Sequence, residues 1–382
     1  MNSVLTTNQY KKVAIGDCCE IISGSTPSRN KVEYWDGEIN WFTPKDLSRI
    51  KSKYISEAPE KITALGLKSC STTPLPKNSL LLSSRAPIGH IAITTIEACT
   101  NQGFKSLIPN KNLDVEYLYY AIKNIIPQLK DLGNGATFKE ISKSTLSKVQ
   151  IPIPPLAEQK QIAAILDAAD KLRQKDQQLV EHYTSLSQSL FLDMFGDPVT
   201  NPKKWNTKYF SDVFSTKTGK LDSNAATDIG IYPFFTCAKQ PLKIDSYTYD
   251  EEALLLAGNN AAGIFDVKYY NGKFDAYQRT YILTIKGNEL TYSFMKVALE
   301  KKLADLERLS IGSSTQYLTI QILKRLEFSV PPIQLQNQFA ERIAIIEQQK
   351  QQAQMNLEKS EMLFNSLLQR AFTGELTANK AA

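Results

Sequence analysis

Glu300-Lys301-Lys302 places a carboxylate two positions before a lysine, the short fragment that accompanies magnesium in nucleases. A metal site would need further clustered carboxylates, and this stretch has the i to i+4 patterning of a helix, so a solvated helix face is expected. A methyltransferase that extrudes its base would carry a glycine-rich cofactor loop after a strand and an Asn/Asp-Pro-Pro-aromatic motif. Asn201-Pro202-Lys203-Lys204 lacks the second proline, and Pro154-Pro155 follows Ile153. Gly258 to Gly263 resembles a phosphate loop without the Gly-Lys-Ser/Thr ending. His90 is expected as a buried turn residue and His182 on a helix surface. The five cysteines, Cys18, Cys19, Cys70, Cys99 and Cys237, are odd in number and lack metal spacing. They imply a reduced, cytoplasmic compartment and no structural zinc. No catalytic or metal-binding residue is assigned, and no cofactor is expected on this chain.

Other side chains suit recognition rather than reaction. Arg, Lys, Asn and Gln on loops and strands read base edges or grip phosphates. In the first half these are Arg29, Lys31, Lys45, Arg85 and Gln102; in the second they are Lys239, Asn259, Asn260 and Arg279. Lys plus Arg exceed Asp plus Glu by 45 to 39, giving +6. That balance permits a polyanionic partner without requiring one.

The elements that hold these residues are written twice. Pro154 to Phe195 lies without a gap on Pro331 to Phe372, so the shift between the copies is constant. Pro154/Pro331, Pro155/Pro332, Gln159/Gln336, Gln161/Gln338, Leu186/Leu363, Leu190/Leu367 and Phe195/Phe372 are among the identities. Upstream, Leu113 meets Leu290 and Ala121 meets Ala298 at the same shift, while Leu80 to Leu82 meets Leu254 to Leu256 and Gln102 meets Gln278 after small slips. Gly24 falls on Gly219. A fixed internal period of this kind describes a duplicated structural unit. The alignment sets Arg85 and Asn259 in the same turn between paired strands, with Asn259-Asn260-Ala261 replacing Arg85-Ala86-Pro87.

The expected organisation is a globular domain at 1–153, a long helix at 154–196, a second domain at 197–330, a second long helix at 331–373 and a tail at 374–382. Short alternating strands and single helical stretches, such as Leu113 to Leu132 with Pro127 as a kink or break, make each domain α+β with a β-rich core. The first long helix carries a heptad seam at Ile162, Ile165, Ala169, Leu172, Asp176, Leu179, Tyr183, Leu186 and Leu190. The second fits Phe339, Ile343, Ile346, Lys350, Ala353, Leu357, Ser360, Phe364 and Leu367. Forty residues at about 1.5 Å each give a rod of roughly 60 Å, and the short link from Gly196 to Trp205 favours an antiparallel coiled coil with pseudo-twofold symmetry. No apolar run is long enough to span a bilayer. Two similar domains at the ends of such a rod make a ruler, and on duplex DNA their sites fall about one turn, roughly 34 to 36 Å, apart.

The Pro-Pro-Leu-Ala-Glu-Gln-Lys-Gln-Ile entrance at Pro154, Gly24-Ser25-Thr26-Pro27 followed by Tyr34-Trp35 and Trp41-Phe42-Thr43-Pro44-Lys45-Asp46-Leu47, and Ser84-Arg85-Ala86-Pro87-Ile88-Gly89 resemble the specificity subunit of type I restriction-modification systems. The resemblance covers essentially the whole chain. It implies two target recognition domains, each reading one half of a bipartite, asymmetric sequence on double-stranded DNA. It also implies a non-catalytic subunit that directs two methyltransferase subunits and restriction subunits, in which S-adenosylmethionine, ATP and Mg2+ are expected. Leu166, Phe191, Leu363 and Leu368 are the expected exposed apolar positions for partner helices. The competing expectation is a coiled-coil scaffold joining two proteins without DNA. Pro332-Ile333-Gln334-Leu335-Gln336 departs from the first entrance, which leaves the second domain's contacts less defined.

Overall fold

The computed structural model describes residues 10–85, 87–134, 139–260, 265–309 and 316–377, with the side chains of 260, 304–309 and 316 outside that description. The chain divides into two compact units, Met1–Asp176 with Asn356–Ala382, and Gln177–Met355. Each unit thus contains one half of each long helix.

The first unit is built on a five-stranded sheet ordered Cys19–Ser23, Lys105–Pro109, Leu80–Leu82, Ile91–Thr94, Tyr54–Ile55. Its central strand, three consecutive leucines, is buried on both faces, which is why it reads as an unbroken apolar run. Leu80 and Leu82 pack with Ile93 against Tyr117, Leu118 and Ile122 of the helix Val115–Asp131. Leu81 and Ala92 face the other way, onto Phe42, Leu47, Leu75 and Phe104. A three-stranded sheet, Glu60–Ile62, Trp35–Phe42 and Cys99–Thr100, carries Trp41 and Ile62 fully inside.

The second unit repeats the alternation on a six-stranded sheet ordered Phe214–Thr218, Thr280–Ile285, Tyr249–Ala257, Val267–Ala276, Tyr232–Phe235, Leu242–Ile244. Leu254 and Leu256 pack with Leu283 against Phe294, Met295 and Ala298 of the helix Tyr292–Leu309, while Leu255 and Ile282 face Phe235 and Phe274. The two units therefore use the matched leucine triplets in the same way.

Pro127 does not break its helix. The helix runs from Val115 to Asp131, with Asp114 accepting hydrogen bonds from the backbone N–H of Glu116 and Tyr117 at its start. Pro127 is exposed, so the carbonyl that loses its partner there is reached by water and the penalty stays local. Pro127→Ala is expected to raise stability by about 1 kcal/mol, visible as a higher midpoint in urea unfolding; an unchanged or lower midpoint would refute it.

The two Pro-Pro entrances repeat atom for atom. Gln159 is fully buried; its amide donates to the carbonyls of Asn112 (3.0 Å) and Pro154 (2.8 Å) and its Oε1 accepts from Asp114 N–H (2.8 Å). Gln336 is equally buried; it donates to Glu289 and Pro331 (2.8 Å each) and accepts from Thr291 N–H (2.8 Å). The partners correspond at the constant shift of the repeat, Asn112 with Glu289, Pro154 with Pro331 and Asp114 with Thr291. The glutamine ties the start of each long helix to the turn that starts the preceding domain helix, pairing three backbone groups, of which the proline carbonyl is the one bonded in the interior.

The long helices span Leu156–Phe195 and Ile333–Thr373. Each stops at a glycine with positive φ, Gly196 at +78° and Gly374 at +84°. Within the first unit, Ile162, Leu166 and Ala169 pack with Phe364, Leu367, Leu368 and Ala371, the start of one helix against the end of the other. Within the second unit, Phe191, Met194 and Phe195 pack with Phe339, Ile343 and Ile346, the end of the first against the start of the second. The helices are antiparallel in both.

The second helix buries the expected seam, with Phe339, Ile343, Ala353, Leu357, Ser360 and Phe364 all below one-tenth exposure. The first helix buries part of it: Ile162, Ala169 and Asp176 lie below one-tenth exposure, but Leu172, Leu179 and Leu186 are 45%, 43% and 40% exposed. Leu166, Ser187 and Phe191, each one residue beyond a seam position, are buried instead.

Leu166 and Phe191 are therefore not exposed partner positions. Leu166 belongs to the first unit's core, and Phe191 stacks on Phe294 at 5.4 Å and meets Phe339 edge-on at 5.6 Å. Leu368 is partly covered by that same first core, and Leu363 remains 46% exposed. Among the described residues no helix is long and apolar enough to cross a membrane.

Candidate nucleic-acid interface

In the first unit the strand Leu80–Leu82 runs on to Ser84, whose N–H donates to Gly103 O (2.8 Å) and whose carbonyl accepts from Ile141 N–H (3.0 Å). In the second, Gly258 N–H donates to Arg279 O (2.8 Å) and its carbonyl accepts from Leu318 N–H (2.9 Å). These are the same backbone bonds. One residue further on, Arg85 bridges antiparallel to Glu140 and Asn259 to Tyr317. Each unit thus has one polar crest, at Arg85, Gln102, Gly103 and Glu140 in the first and at Asn259, Gln278, Arg279 and Tyr317 in the second.

Close backbone approach fixes a third loop beside each crest. A Cβ on Gly24 would lie 2.1 Å from Thr100 O, and one on Gly219 2.0 Å from Ala276 O, so only glycine fits. Just beyond, the Thr26 hydroxyl donates to Gln102 Oε1, and Gln278 Nε2 donates to Asp222 Oδ2 at 3.4 Å.

The expected contact residues separate into three groups. Arg29 lies with its guanidinium 3.8 Å from the Trp35 ring centroid and is bonded in bidentate fashion to Glu60, at 2.5 and 2.9 Å. That pairing holds the Glu60 carboxyl below its usual range and commits the fork of Arg29 to fastening its loop. Lys31, whose ammonium donates to the Tyr34 hydroxyl at 3.2 Å, Lys45, in the turn capped by Thr43 and Asp46, and Lys239 are cations away from the crest bonds described above.

Arg85, Gln102, Asn259 and Arg279 form the crests. Arg85 lies 3.8 Å from Glu140, beyond hydrogen-bond reach. Arg279 sits over the Tyr317 ring at 5.1 Å, and Asn259 Oδ1 accepts from the Cys237 thiol. Asn260 pairs through its backbone with Gln316, and its side chain lies outside the described residues, as do Ala86 and much of the Gly258 to Gly263 span.

Glu140, Lys105 and Tyr317 carry no mark in the sequence. Glu140 and Tyr317 keep the same shift as Pro154 and Pro331, so carrying the repeat one residue at a time through the polar loop after each domain helix would have paired them. Lys105 is buried and donates to Glu140 Oε1 at 3.3 Å.

Glu300-Lys301-Lys302 lies on a helix as expected, but as a face it is only partly solvated. Glu300 pairs with Lys296 at 2.6 Å, and Lys302 is buried with its ammonium 5.8 Å from the Phe328 ring centroid. Burial pushes the Glu300 carboxyl above its ordinary value, aided by Asp266 and Glu347 and opposed by Lys296. A carboxyl raised in the folded state contributes stability when protonated and loses it as pH rises through the folded value. Glu300→Gln is therefore expected to raise the unfolding midpoint at pH 7 and to leave it unchanged near pH 3; equal midpoints at both pH values would refute this. Among the described residues no group of three His, Cys, Asp or Glu is placed to hold a metal ion.

A duplicated α+β unit with a kept backbone frame and different polar side chains on the crest defines a tandem-repeat protein. The chain belongs to the type I restriction modification DNA specificity domain family, whose sequence model matches residues 8–182 and again 202–358. It is 39% identical over 222 residues to the type I restriction enzyme MjaIX specificity subunit of Methanocaldococcus jannaschii, covering 54% of this chain and 51% of that one. It is 34% identical over 182 residues to the EcoDI specificity subunit of Escherichia coli, covering 46% and 39%. The chain spans about half or less of the length of these relatives. The MjaVIII specificity subunit, also of M. jannaschii, aligns over 98% of this chain and 95% of its own at 21% identity. A crystal structure of a type I restriction-modification S subunit from M. genitalium superposes with a TM-score of 0.64 over 97% of this chain and 98% of that one, at 16% identity, and shares the fold.

Proposed function

We propose that this chain is the DNA-recognition subunit of a type I restriction-modification complex, with each unit reading one half of a bipartite, asymmetric duplex sequence. The observation that carries this is the pair of crests: one hydrogen-bonded frame presents Arg85 and Gln102 in the first unit and Asn259 and Arg279 in the second. Identical frames with different side chains read different bases, so the two half-sites differ. Lys31, Lys45 and Lys239 supply phosphate contacts, and Arg29 acts by holding its loop. Catalysis, with S-adenosylmethionine, ATP and Mg2+, belongs to methyltransferase and restriction subunits in the cytoplasm.

The partner-binding surface follows the exposed side of the long helices rather than Leu166 or Phe191. Leu179 and Leu186 in the second unit and Leu363 in the first are exposed leucines on these helices. Leu179→Glu is expected to leave folding intact and to weaken methyltransferase assembly at least tenfold; unchanged co-elution on gel filtration would count against this face.

The function is tested by mixing the complex of this chain with its methyltransferase partner with a randomised duplex library. One bipartite sequence with unequal halves should emerge. Affinity for it should fall by about a thousandfold between 50 and 200 mM salt if roughly six phosphates are contacted. Selection of no sequence, or binding insensitive to salt, would overturn the function.

A further inference from the structure

The chain contains its own comparison, because one frame has been filled in two ways. At the Gln159 and Gln336 entrances both frame and side chain are kept. At the crests the frame and the Gln102/Gln278 pair are kept but three side chains are changed: Arg85, Lys105 and Glu140 stand where the second unit has Asn259, Tyr281 and Tyr317. Tyr281 donates its hydroxyl to Leu318 O at 2.8 Å, so even the buried anchor has a different chemistry.

The first unit's filling is a relay of charges. Lys105, buried at 8% exposure, holds Glu140 through Oε1 at 3.3 Å. The other carboxylate oxygen, Oε2, lies 3.8 Å from Arg85. Both Arg85 and Glu140 have more than a third of the side chain exposed. The distance separates this pair from Arg29 and Glu60, whose fork is closed by two hydrogen bonds at 2.5 and 2.9 Å. Arg85 is steered by its carboxylate, and its donors are not consumed by it.

Resting on the function proposed above, we infer that Arg85 and Glu140, anchored by Lys105, form the selector for one G·C base pair in the half-site read by the first unit. In the major groove guanine presents two acceptors, O6 and N7, and its partner cytosine presents the N4 amino donor. A guanidinium fork beside a carboxylate offers the complementary donors and acceptor side by side. An A·T pair would set the adenine amino group against the fork and leave Glu140 facing the O4 acceptor and methyl of thymine. Glu140 reads the cytosine and aims Arg85, and Lys105 is a positioning residue that holds Glu140 in place through Oε1. In the second unit Tyr317 stands in place of the carboxylate, so among the described residues that crest has a neutral hydroxyl where the first has an anion.

The test is library selection by the assembled complex carrying Arg85→Lys, Glu140→Gln or Lys105→Met. Asn259→Ala, run in parallel, marks the half-site of the second unit. All three first-unit variants are expected to lose preference by about tenfold or more at one shared G·C position, in the half-site that Asn259→Ala leaves alone. Arg85→Lys keeps the charge and does not depend on the buried anchor, so it carries the test if Glu140→Gln or Lys105→Met fails to fold. A wild-type complex that selects no bipartite sequence overturns the proposed function and this inference with it. A wild-type complex that selects one, with variants that change no position, an A·T position or the other half-site, overturns the inference alone.

Discussion

Gln159→Leu is expected to lower the unfolding free energy of the first unit by about 2 to 3 kcal/mol, and Gln336→Leu to do the same to the second, because an orphaned buried group costs about 1 to 3 kcal/mol. Leucine fills nearly the same volume, so the loss is one of hydrogen bonding rather than of packing. Pro154 O would be left buried without its partner, and Asn112 O and Asp114 N–H, nearer the surface, would lose theirs. Asp114 is also the cap of the helix Val115–Asp131, so the damage spreads from the entrance of the long helix into the face that supports the sheet. Guanidinium unfolding with amide exchange would show it: faster exchange at Asp114 in the first variant and at Thr291 in the second. A loss below about 1 kcal/mol in both would mean that water replaces the amide and that the clamp is dispensable.

Gly24→Ala and Gly219→Ala are expected to cost about 3 kcal/mol or more each and to disturb the neighbouring crest. The added methyl at position 24 would sit 2.1 Å from Thr100 O and 2.2 Å from Asn101 O. Both are backbone atoms, so the strands must part. Gly287→Ala is the control: its φ is +72° but no atom lies within 4 Å of the new methyl, so only the left-handed strain of about 1 to 2 kcal/mol applies. Thermal unfolding of the three variants, with selection on the duplex library for the first two, separates the cases. If Gly24→Ala and Gly287→Ala lose the same stability, the close approach at Gly24 has no energetic consequence.

The duplication was legible because it sits in long periodic helices with proline at their start and glycine at their end, and such signals survive divergence. The phase of the first helix was not. Leu172, Leu179 and Leu186 fit a heptad as well as Leu166, Ser187 and Phe191 do, and amphipathic spacing does not say which of two stripes sharing Ile162, Ala169 and Asp176 is buried. A shift of one residue at alternate positions is what carries Leu166 and Phe191 inside. In the same way nothing near Arg29 in the sequence points to its partner, because Glu60 lies well along the chain and carries no local mark.

The crests were half legible. Arg85 and Asn259 were matched because they follow the leucine triplets, which the strand pattern preserves. Glu140 and Tyr317 were missed because the loop before them has the composition of any polar turn, and its place beside Arg85 is set by the antiparallel bridge rather than by sequence. Charge patterning along the chain held for the i,i+4 pair of Lys296 with Glu300 and failed at Lys302, which packs against Phe328 instead of facing water.

The crest frames are held by main-chain bonds, Ser84 to Gly103 and Ile141 and Gly258 to Arg279 and Leu318, with the Ser84 and Tyr281 hydroxyls adding to them. A bond between backbone groups does not record which side chain is attached. Under the proposed function, mutation at 85, 140, 259 or 317 is therefore expected to alter what is recognised without first passing through an unfolded intermediate, so that a lineage changes its target in single steps while the scaffold stays under selection elsewhere. Where a positioning side chain has instead been recruited into the interior, as Lys105 has, the first unit should drift more slowly than the second. Parallel libraries randomised at Lys105 and at Tyr281 would measure that difference as the fraction of folded variants.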